Sequence, residues 1–122
     1  MKRSAIFIVG ISFIAIQVTS PALAGPIDPA RHPHPEQAGA VHQAEHKVDH
    51  AWEVYHRAAL GGTVASPALQ ADIEQHLHDA RTLLTKAQEA AERGEKRQVD
   101  HLVAEITIHT FHAVKGSKEQ KK

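Results

Sequence analysis

Cysteine is absent from the 122 residues. That excludes a disulfide framework, a thiolate zinc site, an iron–sulfur cluster and haem attached through C-x-x-C-H. Methionine occurs once, at position 1, and the aromatic residues number one Trp, one Tyr and three Phe. No G-x-S-x-G, H-E-x-x-H, P-loop or G-x-G-x-x-G is present, so the familiar nucleophile, metalloprotease and phosphate-binding sites are missing. An enzyme is not expected. An excess of one charge is lacking too: 14 Lys and Arg balance 14 Asp and Glu, which leaves no basic face for nucleic acid. What the chain has instead is histidine, 11 residues of it.

The N-terminus reads as a secretory signal peptide. Met1-Lys2-Arg3 is a short basic start, Ala5 to Val18 is an apolar run broken by Gly10, Ser12 and Gln17, and Ala22-Leu23-Ala24 is an A-x-A cleavage site. The run is too short to span a bilayer, and no Cys is available for a lipid anchor. The expectation is export to the periplasm, cleavage after Ala24, and a mature chain Gly25–Lys122 with no stable membrane anchor. Losing Lys2 and Arg3 tips the charge balance slightly acidic. All 11 His residues lie beyond position 24. The aromatics left are Trp52, Tyr55 and Phe111.

Residues 25–36 hold four of the six prolines, so a flexible Pro/His-rich leader is expected there, carrying His32 and His34. Beyond it the apolar residues fall into helical period. Val41, Ala44, Val48, Ala51, Tyr55 and Ala58 form a seam over a helix at about 37–60, closed by Gly61-Gly62. Ser66-Pro67 is an N-cap followed by a proline in the first turn. It opens a second helix at about 66–93 with Leu69, Ile73, Leu77, Ala80, Leu84, Ala87 and Ala91 on one side. A third helix, at about 95–114, places Val99, Leu102, Val103, Ile106 and Ala113 together. Its β-branched run Ile106-Thr107-Ile108 works against helical propensity. Residues 116–122 read as a basic, disordered tail. The architecture expected is all-α: a small antiparallel up-down bundle of three amphipathic helices, residues 37–115, with an alanine-rich core. The second helix, at about 28 residues and roughly 42 Å, would be the longest; its length permits a homodimer.

The histidines fall in stripes. On the first helix His42, His46, Asp49, Glu53 and His56 recur at heptad spacing away from the seam, with Glu45 and His50 beside them. Residues three or four apart on a helix are neighbours, with Cβ atoms about 5–6 Å apart. His42/His46 and His46/His50 therefore each offer two imidazoles to one ion, with carboxylates alongside. Imidazole suits copper, nickel and zinc. The second helix has a shorter copy in Asp72, His76 and Asp79, and the third has His101, Glu105, His109 and His112. Each stripe also has a plainer reading, as a solvated polar face or a half-buried histidine capped by carboxylates. Only His76 and His109 lie close enough to their seams to face inward, as two histidines holding a haem would need to. Glu53-x-x-His56 matches half of a di-iron signature, but no second copy exists.

An exported, Cys-free helical chain of this size, with His42-x3-His46-x3-His50, Asp49 and Glu53, a helix over Leu69–Gly94 and His101-x3-Glu105-x3-His109, resembles the small metal-binding protein family of bacterial periplasms. The resemblance implies a His-rich up-down bundle that binds several divalent ions, copper foremost with nickel and zinc, as a buffer or carrier. The second helix here is poorer in histidine than the family pattern, and three helices are counted where the family has four. The leading expectation is thus capture of Cu(II), Ni(II) or Zn(II) at His, Asp and Glu on helix surfaces. The alternative is a periplasmic stress-response or chaperone-like helical protein whose histidines sense pH, for which Ile108 and Phe111, off the third seam, would form an apolar working surface.

Overall fold

Prolines and glycines set the helix limits in the computed structural model, which describes residues 26–119. The signal peptide expected at 1–24, and the last three positions of the expected tail, lie outside the described residues. Helix α1 runs Pro35–Leu60, α2 Pro67–Glu92 and α3 Lys96–Ser117. Pro35 and Pro67 sit in the first turns of α1 and α2, where a missing N–H costs nothing. Ser66 caps α2, its hydroxyl accepting the Leu69 N–H at 3.1 Å. Gly94, at φ +69°, makes the left-handed turn between α2 and α3 that only glycine takes without strain. All three helices pack on one another as an antiparallel bundle, and among the described residues none is long and apolar enough to cross a membrane.

The seams read from the sequence are the faces that meet. Val41, Val48, Ile73, Leu77, Val99 and Ile106 are the largest side chains wholly withdrawn from solvent. Much of the remaining core is alanine, including Ala44, Ala51, Ala80, Ala87, Ala91 and Ala113. Small side chains let backbones approach closely but bury little area each, so the few large residues carry most of the hydrophobic stabilisation. Trp52 lies against both halves of the core, with the Arg81 guanidinium 4.2 Å over its ring.

Three expectations change. Residues 26–34 are not a free leader. The Ile27 side chain packs against the core, the Ile27 N–H donates to Glu45 Oε1 at 3.1 Å, and the His34 ring occupies the space over Gly94 where a Cβ would stand. The helix α1 therefore starts at Pro35 rather than at 37. The tail does not begin at 116: Gly116 and Ser117 are buried in the last turn of α3, because Gly116 seats against Ile73 and the Ser117 hydroxyl donates to the Ala113 carbonyl at 2.7 Å. Finally, α2 has 26 residues, the same as α1, so it does not stand out as the longest rod. The Ile106-Thr107-Ile108 run stays helical because burial of Ile106 outweighs its propensity.

A second tie crosses from α1 to α2, where the Tyr55 hydroxyl donates to Glu74 Oε1. This bond, followed by one from Gln70, holds the Glu74 carboxyl below its usual 4.5. Burial first, and Glu74 second, push the Tyr55 phenol above 10.0. A lowered carboxyl stabilises the fold above its ordinary value, and that contribution is lost as pH falls through the folded value. The raised phenol contributes below its ordinary value, and is lost as pH rises through its folded one. Tyr55→Phe is therefore expected to cost stability near neutrality, with the gap from the parent closing as pH is lowered from about 6 to about 3. Urea midpoints along that series check it; a gap independent of pH would contradict the coupling.

Candidate metal centre

Two pairs of imidazole nitrogens face each other. On α1, one helical turn brings His42 Nε2 to 3.1 Å from His46 Nε2, with the rings edge-to-face. Between α2 and α3, His76 Nδ1 lies 2.9 Å from His109 Nδ1, and the His112 ring stacks on His76 with centroids 5.1 Å apart. The first pair is built by the i,i+4 geometry of a single helix. The second depends on the register of two helices whose small seam residues bring His76 and His109 together across the groove.

The spacing fits a shared ion. Two metal–nitrogen bonds of about 2.0–2.1 Å, at angles between square and tetrahedral, put their nitrogens about 2.9–3.4 Å apart. Without an ion, each pair is satisfied by one N–H···N hydrogen bond, one ring donating and the other accepting. Opposed axial ligands of a haem would stand about 4 Å apart, so the 2.9 Å contact of His76 and His109 leaves no room for a porphyrin between them.

In each pair one ring also has a carboxylate near its far nitrogen. His42 Nδ1 lies 3.7 Å from Glu45 Oε2, and His76 Nε2 lies 3.7 Å from Asp72 Oδ2. At 3.7 Å neither contact is a hydrogen bond, but each carboxylate stands where it could accept the N–H of that nitrogen after a small shift. The His76 side chain is 25 % exposed. His109 also lines a groove between α2 and α3 with Asp79, Leu83 and Glu105.

The other residues singled out from the sequence have different surroundings. Asp49 and His50 are exposed on α1. Glu53 accepts from Arg57 at 2.6 Å, and His56 stacks on Trp52 at 5.4 Å between centroids. Asp79 accepts from the Gln75 amide at 2.9 Å. His101 Nε2 lies 3.1 Å from Glu105 Oε1, one turn along α3. The α1 stripe is therefore one close pair with dispersed neighbours, and among the described residues no three His, Asp or Glu side chains gather into one metal-holding group. Glu45 reads from the sequence only as a flank of the α1 stripe, and Gln88 goes unnoticed, because their contacts run between elements. In the leader, the His34 N–H donates to His32 Nδ1 at 3.0 Å.

Comparison with protein-family models, with curated proteins and with solved structures finds no match.

Proposed function

We propose that the chain is an exported metal-binding protein that takes up divalent transition ions, Cu(II) foremost with Ni(II) and Zn(II), at paired imidazoles, and serves as a periplasmic buffer, scavenger or carrier. The observation that carries this reading is the His76–His109 contact: two half-buried nitrogens from different helices, 2.9 Å apart, at a spacing suited to one ion and backed by Asp72. The His42–His46 pair repeats the arrangement within α1. The signal-like residues 1–24 support export, and the resemblance to small periplasmic metal-binding proteins supports the same assignment.

Two protein ligands leave the remaining coordination positions to water or to another donor. Structural zinc sites close all four positions. An ion held by two imidazoles exchanges more readily, which suits a buffer or carrier. Copper heads the affinity order for nitrogen donors, and protons compete for the same nitrogens.

The test is a calorimetric titration of chelator-treated protein with Cu(II), Ni(II) and Zn(II) at about pH 7.5 and again at about pH 5.5, on either side of the ordinary imidazole value. Micromolar or tighter Cu(II) binding that collapses at the lower pH is expected. Weak binding, similar for all three ions and insensitive to pH, would refute the proposal.

A second reading rests on a separate observation. Ile108 and Phe111 are 57 % and 61 % exposed on α3, an apolar surface that supports a chaperone-like role or a homodimer. A chaperone would suppress aggregation of a client protein without metal and regardless of chelator; metal dependence would dismiss that role.

A further inference from the structure

Glu45 is unlike the other carboxylates beside the histidines. Its side chain is 12 % exposed, and its Oε1 accepts two hydrogen bonds, from the Ile27 N–H at 3.1 Å and from Gln88 Nε2 at 2.7 Å. Its other oxygen faces His42 Nδ1 at 3.7 Å. One carboxylate thus joins the segment before α1, α1 itself and α2. His42 Nδ1 is buried and has no hydrogen-bond partner, while Nε2 of the same ring faces His46.

A ring nitrogen that ligates an ion offers its lone pair, so the proton of the neutral imidazole sits on the other nitrogen. Ligation through His42 Nε2 therefore makes Nδ1 an N–H donor in a buried position, where an unmade hydrogen bond is costly. Glu45 Oε2 is the acceptor that faces it. A carboxylate already held by two donors on its other oxygen is fixed in place to receive that N–H.

We infer that Glu45 is a positioning residue that links ion binding at His42 and His46 to the docking of residues 26–34 on the bundle. The inference rests on the metal-binding reading. Coupling of this kind is reciprocal: whatever the ion adds to the anchoring of Ile27, the anchored Ile27 adds to ion affinity. The segment just beyond the expected cleavage site is then a clasp, tighter in the ion-loaded protein than in the ion-free one.

The experiment uses Gly25–Lys122 carrying His76→Ala and His109→Ala, so that the α1 pair is read alone, with Zn(II) as a diamagnetic probe. Saturating Zn(II) is expected to slow hydrogen exchange of the Ile27 amide several-fold, read by NMR. Glu45→Gln is expected to weaken Zn(II) affinity by about 10–100-fold and to abolish the slowing. Ile27→Pro, which removes the N–H donor and leaves Glu45 and both histidines in place, should weaken affinity in the same direction. It also decides the matter should Glu45→Gln fail to fold. Zn(II) bound with Ile27 exchange unchanged, or wild-type affinity in both variants, would overturn the linkage while leaving the metal-binding reading intact. No Zn(II) binding at the α1 pair, with binding retained at His76 and His109 in the unmodified chain, would also end the linkage alone. Failure at both pairs would end both.

Discussion

Replacing His76 and His109 together by alanine is expected to remove most of the thermal stabilisation that a bound ion confers, while the ion-free fold survives. Without metal the two rings share one half-buried hydrogen bond, worth about 0.5–1.5 kcal/mol net, so the ion-free variant should melt roughly 2–12 °C lower. An ion that binds the folded chain alone stabilises it by mass action, about 2.7 kcal/mol at a hundredfold excess over the dissociation constant. For a domain of this size each kcal/mol moves the melting temperature by roughly 4–8 °C. Saturating Cu(II) or Zn(II) should therefore raise the parent Tm by more than ten degrees on this estimate, and the double variant by distinctly less. His112→Ala, which removes a stacking neighbour rather than a facing nitrogen, should retain most of the rise. An ion-induced shift unchanged in the double variant would displace the main site from the α2–α3 groove. Calorimetric or circular-dichroism melts with and without metal suffice to read it.

The second large effect concerns the core. Leu77 is wholly buried and packs with Ala51, Tyr55, Val64, Ile73 and Ala113. Leu77→Ala removes a large side chain from a cluster in which alanine already fills two positions, and rigid helices on three sides limit collapse into the space. Substitutions of this kind cost about 2–5 kcal/mol, a large fraction of the ~5–15 kcal/mol that holds an ordinary domain together. The variant should show a strongly lowered urea midpoint with an unchanged slope, and loss of the His76–His109 site in parallel, since Leu77 adjoins His76. A midpoint within experimental error of the parent would mean that the core repacks around the vacancy, contrary to the alanine-dominated packing described above.

The parts legible in the sequence were those that repeat within one helix. The spacing of Val41, Ala44, Val48, Ala51 and Tyr55, and of Ile73, Leu77, Ala80, Ala87 and Ala91, identifies buried faces because a helix returns to the same side every three or four residues. The same arithmetic makes His42 and His46 neighbours. It carries no information about rotation or vertical register between helices, so it could place His76 and His109 near their seams but not against each other. Thr110 escaped the seam because it is polar. It is buried with its hydroxyl donating to the Ile106 carbonyl at 2.9 Å, so no bonding group is left unmet. Residues 26–34 were misread for a related reason. A single large apolar residue, Ile27, among prolines has no period, and its docking depends on Glu45, 18 residues away.

The His76–His109 contact spans 33 residues of chain, and in a protein without cysteine it is the nearest counterpart of a disulfide. An ion ligated by both rings would close a loop of that length. The stabilisation comes by mass action, because the ion holds the folded chain and leaves the unfolded one. Unlike a sulfur–sulfur bond, it needs no oxidant to form and no reductant to open; a chelator or a drop in pH suffices. If the ion binds there as proposed, the resistance of the bundle to unfolding, and so to proteolysis, would follow the free-ion concentration around it.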